Sequence, residues 1–327
     1  MMLFEWMISC CFDVRIILSV LLLLLLFYLC VARKSQLPSV DPKGRGVFIT
    51  GCDSGFGNLL ARRLHSLGFT VFAACLFPDG EGSQALKDSS RGQIKVIKLD
   101  VTSDTEMAEA KQFVQDNLPE NGLWGLVNNA GISKWGMSEW HSMDQYQKVM
   151  EINVLGSVRT TLAFAPLIRK SKGRIVFLSS VNAHIYSINS IYCMSKAGLE
   201  MFCDCFRLEM KRFGVLVSII QPGNYAPATN IQPLRSADNV WNELSEEMQD
   251  IYNKEFVKKL TDFVNKELLK GSNKGHEVVD AIVDALASSK PKTRYLVANM
   301  MEMIGVILCS VCPTSLVDAI LNNAMDL

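Results

Sequence analysis

Hydrophobic and polar positions follow two different periods along most of the chain. Short apolar runs bounded by glycine or polar residues are separated by longer stretches with the spacing of amphipathic helices, the first at about Phe56–Leu67. Because short apolar strands alternate with helices, the pattern predicts a parallel sheet covered on both faces. The runs predict strands at Gly46–Thr50, Thr70–Leu76, Ile94–Leu99, Leu123–Val127, Arg174–Leu178 and Val215–Ile220, and a seventh at Thr293–Leu296.

Two segments depart from this alternation. Residues 225–272 are polar with helical spacing, and they predict a helical lid inserted after the sixth strand. Residues 301–327 form a tail rich in Met, Ile, Leu and Val, which is interpreted either as core or as a membrane contact. Glu302, Pro313 and Asp318 argue against a membrane span in this tail.

The N-terminal segment contains an uncharged run of 17 residues, Ile16–Ala32, that includes the leucines of residues 21–26. A membrane-spanning helix needs about 17–25 such residues, so residues 1–34 are predicted to be a retained transmembrane anchor, followed by a linker at 35–45. A cleaved signal peptide is the alternative, since the small residues Cys30 and Ala32 precede a possible cut. The acidic residues Glu5 and Asp13 ahead of the run favour the anchor.

Basic residues are more frequent after the run than before it: Arg33, Lys34, Lys43 and Arg45 follow it, and Arg15 precedes it. By the positive-inside rule, this bias predicts that the main domain, residues 46–300, faces the cytosol. The endoplasmic reticulum membrane is the favoured location, and a mitochondrial membrane is the alternative.

Charge and cysteine content exclude several function classes. The 33 basic and 33 acidic residues give a formal net charge of zero, and no basic run with interleaved aromatics argues for nucleic-acid binding. Cys309 and Cys312 have CxxC spacing, but no second Cys or His pair accompanies them, so no metal site is predicted. The ten cysteines are interpreted as free thiols.

A glycine-rich turn lies between the first predicted strand and its helix. Gly51, Gly55 and Gly57 have the spacing Gly-x-x-x-Gly-x-Gly, which differs from the commonest dinucleotide fingerprint. Glycines at such a turn let the backbone approach a pyrophosphate that sits at the helix N-terminus. An ordinary turn is the alternative, but the strand–turn–helix context favours cofactor binding.

Tyr192 and Lys196 are four residues apart, shortly after the pair Ser179-Ser180. On a helix this spacing brings both side chains to one face. The ordinary pKa of tyrosine, about 10, is too high for a general base near neutrality, and a neighbouring ammonium favours the phenolate. A serine hydroxyl nearby can hold the substrate oxygen. The same spacing also arises by chance, as an ordinary surface pair on a helix.

Together these motifs resemble the short-chain dehydrogenase/reductase family over roughly residues 45–300. The glycine motif of that family corresponds to residues 50–57, and its motif after the fourth strand corresponds to Asn128-Asn129-Ala130-Gly131. The resemblance implies a single Rossmann-type doubly wound parallel sheet and hydride transfer between an alcohol and a nicotinamide dinucleotide.

The resemblance also assigns roles to individual residues. It implies that Tyr192 is the general base, and that Lys196 favours the phenolate and holds the ribose. Ser180 would position the substrate oxygen, with Ser179 as its rival, and Asn153 would hold a water that links Lys196 to solvent. The residues that it assigns to the cofactor are Gly51, Ser54, Gly55, Phe56, Gly57, Asp100, Asn128, Ala130, Gly131, Tyr192, Lys196, Pro222 and Gly223.

Cofactor choice depends on the end of the second strand. An NADP site usually supplies a cation there for the 2′-phosphate, and an NAD site supplies an acid for the ribose hydroxyls. No Lys or Arg lies in residues 73–79, and the expected acid is missing too unless Asp79 reaches back. NAD is therefore predicted in preference to NADP.

Substrate class is narrowed further by resemblance within the family. Residues 51–61, 122–127 and 291–295 resemble membrane-bound retinol and hydroxysteroid dehydrogenases, whereas residues 222–225 lean towards the D-beta-hydroxybutyrate dehydrogenases. The apolar anchor and tail favour a hydrophobic alcohol, with a hydroxybutyrate dehydrogenase and a non-catalytic lipid-binding or scaffold protein as the alternatives. His184 is interpreted as a loop residue or, less favoured, a substrate contact. A homodimer is expected, as in similar proteins.

Overall fold

The computed structural model describes residues 40–324 of the chain, including the side chains of residues 40–321. The anchor predicted at residues 1–34 lies outside the described residues, and so does the start of the linker. Within the described range, no helix is both long enough and apolar enough to cross a membrane.

A seven-stranded, entirely parallel sheet forms the centre of the described domain. Its strands follow the order β3-β2-β1-β4-β5-β6-β7, so the chain reverses direction across the sheet between β1 and β4. The prediction of a single doubly wound parallel sheet, including its seventh strand, is confirmed. The strands are β1 Gly46–Thr50, β2 Thr70–Cys75, β3 Lys95–Lys98, β4 Leu123–Asn128, β5 Arg174–Leu178, β6 Leu216–Pro222 and β7 Arg294–Val297.

Helices cover both faces of this sheet. The first layer contains α1 Gly55–Ser66, α2 Glu81–Ser89 and α10 Gly275–Ala287; the second contains α3 Asp104–Asp116, α5 Gly156–Ser171 and α6 Ser190–Met210. Strand β1 shows why both layers form: Val47 and Ile49 pack into the first layer, and Phe48 packs into the second. A strand buried on both faces needs apolar residues at every position, which explains the continuous apolar runs in the sequence.

Outside these layers lie the remaining helices. They are α4 Met143–Met150, a π-helical turn at Glu151–Leu155, α7 Ala237–Asn242, α8 Glu246–Ile251, α9 Lys254–Leu269, α11 Met300–Val311 and α12 Thr314–Ala324. The segment predicted as a lid thus contains three helices, α7 to α9. They have a small core of their own, in which Val240, Leu244 and Val257 pack around Trp135 from the loop after β4.

The apolar tail forms α11 and α12, which contact the loop before Tyr192 and the turn after β6. The Tyr186 hydroxyl donates to Asp318 Oδ1 at 2.8 Å, and the backbone N–H of Asn224 donates to Glu302 Oε1 at 2.6 Å. No residue of α11 is fully buried, and Met301 is 75% exposed. The tail therefore closes one side of the region next to Tyr192 and leaves apolar surface on its outer side.

Candidate active site

A cavity of about 610 Å³ lies at the carboxyl ends of β1 and β4. In open α/β sheets, this is the topological switch point at which ligands bind, because the connections on its two sides diverge. The predicted cofactor residues in its wall are Gly51, Ser54, Gly55, Phe56, Asp100, Ala130 and Gly131.

The glycine-rich turn is packed so closely that a side chain would not fit. A Cβ on Gly57 would lie 2.3 Å from the carbonyl oxygen of Gly51, and Gly51 itself has a φ of +69°. Asn129 Nδ2 donates to the carbonyl oxygens of Thr50 (2.8 Å) and Gly51 (2.9 Å), which ties this turn to the loop after β4. Gly57 thus acts by permitting the close turn, without lining the cavity.

Besides Gly57, the predicted cofactor residues Asn128, Lys196 and Pro222 do not line this cavity or the adjoining second cavity. Asn128 is 2% exposed, and its Nδ2 donates to Thr161 Oγ1 of α5 at 3.0 Å. The Pro222 carbonyl lies 3.5 Å from Ser180 Oγ. Asn129, which the sequence analysis did not assign, takes the place in the wall.

Two acids, Asp53 and Asp100, line this cavity. The Asp100 carboxylate is engaged locally, since it accepts from Thr102 N at 2.9 Å and from Thr102 Oγ1 at 2.7 Å. Asp53 was not predicted, but its carboxylate reaches the end of β2, where it accepts from the N–H groups of Leu76 (3.0 Å) and Phe77 (2.8 Å). The sequence contains no local signal for this, because Asp53 is 23 residues from Leu76.

Asp79, the acid considered from the sequence, does not line the cavity. Its side chain is 90% exposed and lies 3.7 Å from Lys87 Nζ. The acid at the end of β2 therefore comes from the glycine-rich turn and not from the strand itself.

A second cavity, of about 390 Å³, adjoins the first, and Thr229 and Ile231 line both. Thr229 Oγ1 is buried and has no hydrogen-bond partner among the described residues, so a ligand in this position can satisfy it. Together with the close glycine turn, this unpaired hydroxyl fits a dinucleotide that runs from the first cavity to the second.

Tyr192 lines the second cavity, and Lys196 lies behind it with 3% of its surface exposed. Lys196 Nζ is 5.5 Å from the centroid of the Tyr192 ring and donates to the carbonyl oxygen of Leu178 at 2.8 Å. Burial raises the pKa of Tyr192 to about 12, and the Ser180 hydroxyl opposes this shift. Burial also lowers the pKa of Lys196 to about 8.

Asn153 lies in the π-helical turn between α4 and α5, a distortion that is frequent at functional sites. Its Oδ1 accepts from the N–H of Ile132 at 2.8 Å, and its Nδ2 donates to the Ile132 carbonyl at 2.9 Å and to Ser195 Oγ at 3.0 Å. Gly131 lies close to both Asn153 and Lys196: a Cβ on Gly131 would be 3.2 Å from Asn153 Oδ1 and 3.7 Å from Lys196 Nζ. The structure therefore brings Asn153 and Lys196 together around Gly131.

The two serines after β5 face opposite sides. Ser180 lines the second cavity with Tyr192, and its Oγ accepts from the N–H of Asn182 at 3.2 Å. Ser179 is 3% exposed and does not line that cavity. His184 points to Glu200 on α6: its Nε2 lies 3.1 Å from Glu200 Oε2.

Comparison with known proteins identifies the family. A sequence model of the short chain dehydrogenases matches residues 45–239. The mitochondrial D-beta-hydroxybutyrate dehydrogenase of Bos taurus is 41% identical over 278 residues, covering 81% of this chain and 80% of that protein. Retinol dehydrogenase 7 of Mus musculus is 38% identical over 84% of this chain and 87% of its own length. The 17-beta-hydroxysteroid dehydrogenase type 6 of Homo sapiens is 38% identical, with 85% and 88% covered.

Solved structures agree on the fold. A short chain dehydrogenase/reductase from Burkholderia phymatum, in complex with NAD, superposes with a TM-score of 0.66 at 19% identity, covering 82% of this chain and 94% of that chain. From the matched sequence and the site geometry, the chain belongs to the short-chain dehydrogenase/reductase family, whose members are oxidoreductases acting on CH–OH groups.

Proposed function

We propose that this protein is an NAD-dependent oxidoreductase that interconverts a hydrophobic alcohol, a hydroxysteroid or retinol, and its carbonyl compound. The observation that carries the proposal is the second cavity beside Tyr192. Apolar side chains such as Trp135, Phe263 and Leu268 form much of its wall, and the only charged residues lining it in the described chain are Glu267 and Glu302. A wall with two carboxylates and no cation favours a neutral, apolar alcohol.

Tyr192 serves as the general base in this proposal. Its phenolate takes the hydroxyl proton of the alcohol, and Ser180 Oγ holds the same oxygen by a hydrogen bond. A bound nicotinamide dinucleotide supplies the hydride acceptor. In the reverse direction, the Tyr192 phenol returns the proton to the carbonyl oxygen.

Lys196 makes the Tyr192 phenolate accessible near neutrality. Burial raises the pKa of Tyr192 to about 12 even though the Ser180 hydroxyl acts to lower it, so an ammonium close to the ring is required to lower the cost of the phenolate. Lys196 Nζ, 5.5 Å from the ring centroid, supplies that charge. Asn153 holds the neighbouring turn in place, and its proposed link from Lys196 to solvent through a water remains a prediction.

NAD is the proposed cofactor because of Asp53. Its carboxylate lies at the end of β2, where the 2′-hydroxyl of NAD or the 2′-phosphate of NADP would bind. A carboxylate accepts a hydrogen bond from a hydroxyl and repels a phosphate. Lys87, a cation near this end of β2, donates instead to the carbonyl oxygen of Pro78 at 3.0 Å.

A D-3-hydroxybutyrate dehydrogenase is the second candidate, since a protein of that name is 41% identical to this chain. Its anionic substrate would need a cation or strong donors beside Tyr192. Lys134 and Arg235 line a neighbouring cavity of about 430 Å³, and there both pair with Glu243. These cations are thus already engaged, which favours the apolar alcohol.

Turnover by the full-length protein in lipid or detergent tests the proposal. NADH formation is measured with estradiol, retinol and D-3-hydroxybutyrate. Oxidation of estradiol or retinol supports the proposal, whereas oxidation of hydroxybutyrate alone would overturn the substrate class. No turnover with any alcohol, at normal NADH binding, would favour the non-catalytic lipid-binding or scaffold alternative.

Two further expectations concern partners. The membrane anchor at residues 1–34, in the endoplasmic reticulum or in a mitochondrial membrane, remains a prediction from the sequence.

A homodimer is proposed because of an exposed apolar stripe along α6. The stripe consists of Met194, Met201 and Leu208, which are seven residues apart and have 45%, 66% and 67% of their surfaces exposed. Such a stripe packs well against its own copy in a second chain.

A further inference from the structure

A buried carboxylate lies one helical turn beyond Lys196 and is not used by the reaction described above. Glu200, on the same face of α6, is 4% exposed. Gln221 Nε2, from β6, donates to both of its carboxylate oxygens at 2.9 and 3.0 Å. Arg294 Nη2, from β7, donates to Glu200 Oε2 at 3.2 Å, and His184 Nε2 lies 3.1 Å from the same oxygen.

These partners keep Glu200 ionised. Burial acts to raise its pKa, but the hydrogen bonds with His184 and Gln221 outweigh burial and hold the pKa below its usual value. A carboxylate this deeply buried is tolerated only when such partners satisfy it. Glu200 is therefore a fixed negative charge inside the helix layer that carries Tyr192 and Lys196.

Among the residues that the structure describes, no carboxylate makes a hydrogen bond with Lys196. Its Nζ donates to a backbone carbonyl, and burial lowers its pKa to about 8, with Cys203 and Glu200 acting in the opposite direction. Along α6, the titratable groups that face Lys196 are Tyr192, Glu200 and Cys203. The groups that face it from β5 and from the π-helical turn are uncharged: the Leu178 carbonyl and the Asn153 amide. His184 and Arg294 contact Glu200 and influence Lys196 through it.

We propose that Glu200 is a positioning residue for the hydride-transfer reaction: it stabilises the Lys196 ammonium and fixes the catalytic face of α6 against β6 and β7. The inference rests on the proposed function, because it assigns to Glu200 a role in keeping Tyr192 competent as a base. Residues four apart on a helix are close enough for one charge to influence the other.

Glu200→Gln tests the proposal through the pH profile of alcohol oxidation. The assay uses whichever of estradiol, retinol and D-3-hydroxybutyrate the wild-type protein oxidises. Because Glu200 stabilises the Lys196 ammonium, the pKa of Lys196 falls when the negative charge is removed. The alkaline limb of kcat/KM, where Lys196 loses its proton, is then expected to move to lower pH by about one unit or more. NADH binding at neutral pH is expected to stay within about threefold of wild type.

Asp204→Asn is the matched control. Asp204 lies one further turn along α6 and also binds Arg294, with Oδ1 accepting from Nη1 at 3.0 Å and Oδ2 from Nη2 at 2.7 Å. It is eight residues from Lys196, or about 12 Å along the helix axis. The control thus removes one carboxylate from the same arginine, and it is expected to lower stability without moving the alkaline limb.

Arg294→Gln provides a test of opposite sign, and it serves on its own if Glu200→Gln does not fold. Without the guanidinium, its positive charge no longer opposes the effect of Glu200 on Lys196, so the pKa of Lys196 rises and the alkaline limb is expected to move to higher pH. Glu200→Asp keeps the charge and is expected to restore most of the wild-type profile.

The outcomes separate this inference from the proposed function. If the wild-type protein oxidises no alcohol, the proposed function fails. If it does, and if folded Glu200→Gln keeps the wild-type alkaline limb, Glu200 has no influence on Lys196 and the inference is overturned. An unchanged alkaline limb or a shift to lower pH in Arg294→Gln would overturn it as well, because the Glu200 charge would then not act on Lys196. A shift in Asp204→Asn equal to that in Glu200→Gln would also overturn it, because that result would indicate general loosening of α6.

Discussion

Replacing Asp53 with Asn tests how the fold selects its cofactor. Asp53 projects from the glycine-rich turn to the end of β2, where its two carboxylate oxygens accept from the N–H groups of Leu76 and Phe77 at 3.0 and 2.8 Å. Asn is nearly the same size and keeps one acceptor oxygen, so the substitution mainly removes the negative charge. The affinity for NADP relative to NAD is expected to rise.

Coulomb's law gives the magnitude. At a separation of roughly 6 Å, two unit charges such as this carboxylate and a phosphate at the end of β2 repel by about 0.7 kcal/mol in water and about 2.8 kcal/mol at an effective dielectric constant of 20. Since about 1.4 kcal/mol corresponds to a factor of ten, removing the charge should improve the NADP/NAD affinity ratio by roughly 3- to 100-fold.

Fluorescence titration with NADH and NADPH measures this ratio directly, and using the ratio cancels any loss of turn stability that affects both cofactors. Asp79→Asn is the matched control, because Asp79 lies at the same end of β2 but is 90% exposed and outside the cavity wall. An unchanged ratio in Asp53→Asn, or an equal increase in Asp79→Asn, would refute the assignment of Asp53.

Three further substitutions test the site and its surroundings. Gly57→Ala places a Cβ 2.3 Å from the Gly51 carbonyl oxygen, so NADH affinity should fall at least about tenfold by titration; Gly198→Ala, whose Cβ would meet nothing within 4 Å, should leave it unchanged. Trp135→Ala removes the centre of the small core under α7 to α9 and should cost about 3–5 kcal/mol there, seen as faster proteolysis within residues 225–272; an unchanged cleavage rate would contradict this role. Met201→Glu places a charge in the apolar stripe of α6 and should convert dimer to monomer in light scattering; a monomeric wild-type protein would contradict the proposed homodimer.

The fold followed from the sequence because its signals are local. The apolar runs at residues 46–50 and 174–178 became fully buried strands, since a parallel strand covered on both faces requires continuous apolarity. Tyr192 and Lys196 also followed from local spacing, because helix geometry alone brings them to one face.

Other parts of the site depend on contacts between distant residues and have no local signal. Asp53 reaches β2 only because the sheet places that strand beside β1, and the sequence therefore suggested Asp79 instead. Asn128 and Asn129 are adjacent and have identical side chains, so the sequence does not indicate which of them lines the cavity. In the structure, Asn128 points to Thr161 in α5, and Asn129 points to the turn after β1. In the sequence Glu200 has no feature that separates it from other acidic residues on helices. Its burial depends on contacts with Gln221 of β6 and Arg294 of β7.

The central claim is that Tyr192 transfers the proton during hydride transfer. The most direct test is the rate of NADH formation by full-length Tyr192→Phe with the alcohol that the wild-type protein oxidises. NADH affinity is measured on the same protein, and Tyr252→Phe is the control, because Tyr252 lies outside both cavities. We predict a loss of about 10²- to 10⁴-fold in rate for Tyr192→Phe with NADH affinity retained, and a near-wild-type rate for the control. A Tyr192→Phe protein that oxidises the alcohol at the wild-type rate would contradict the claim.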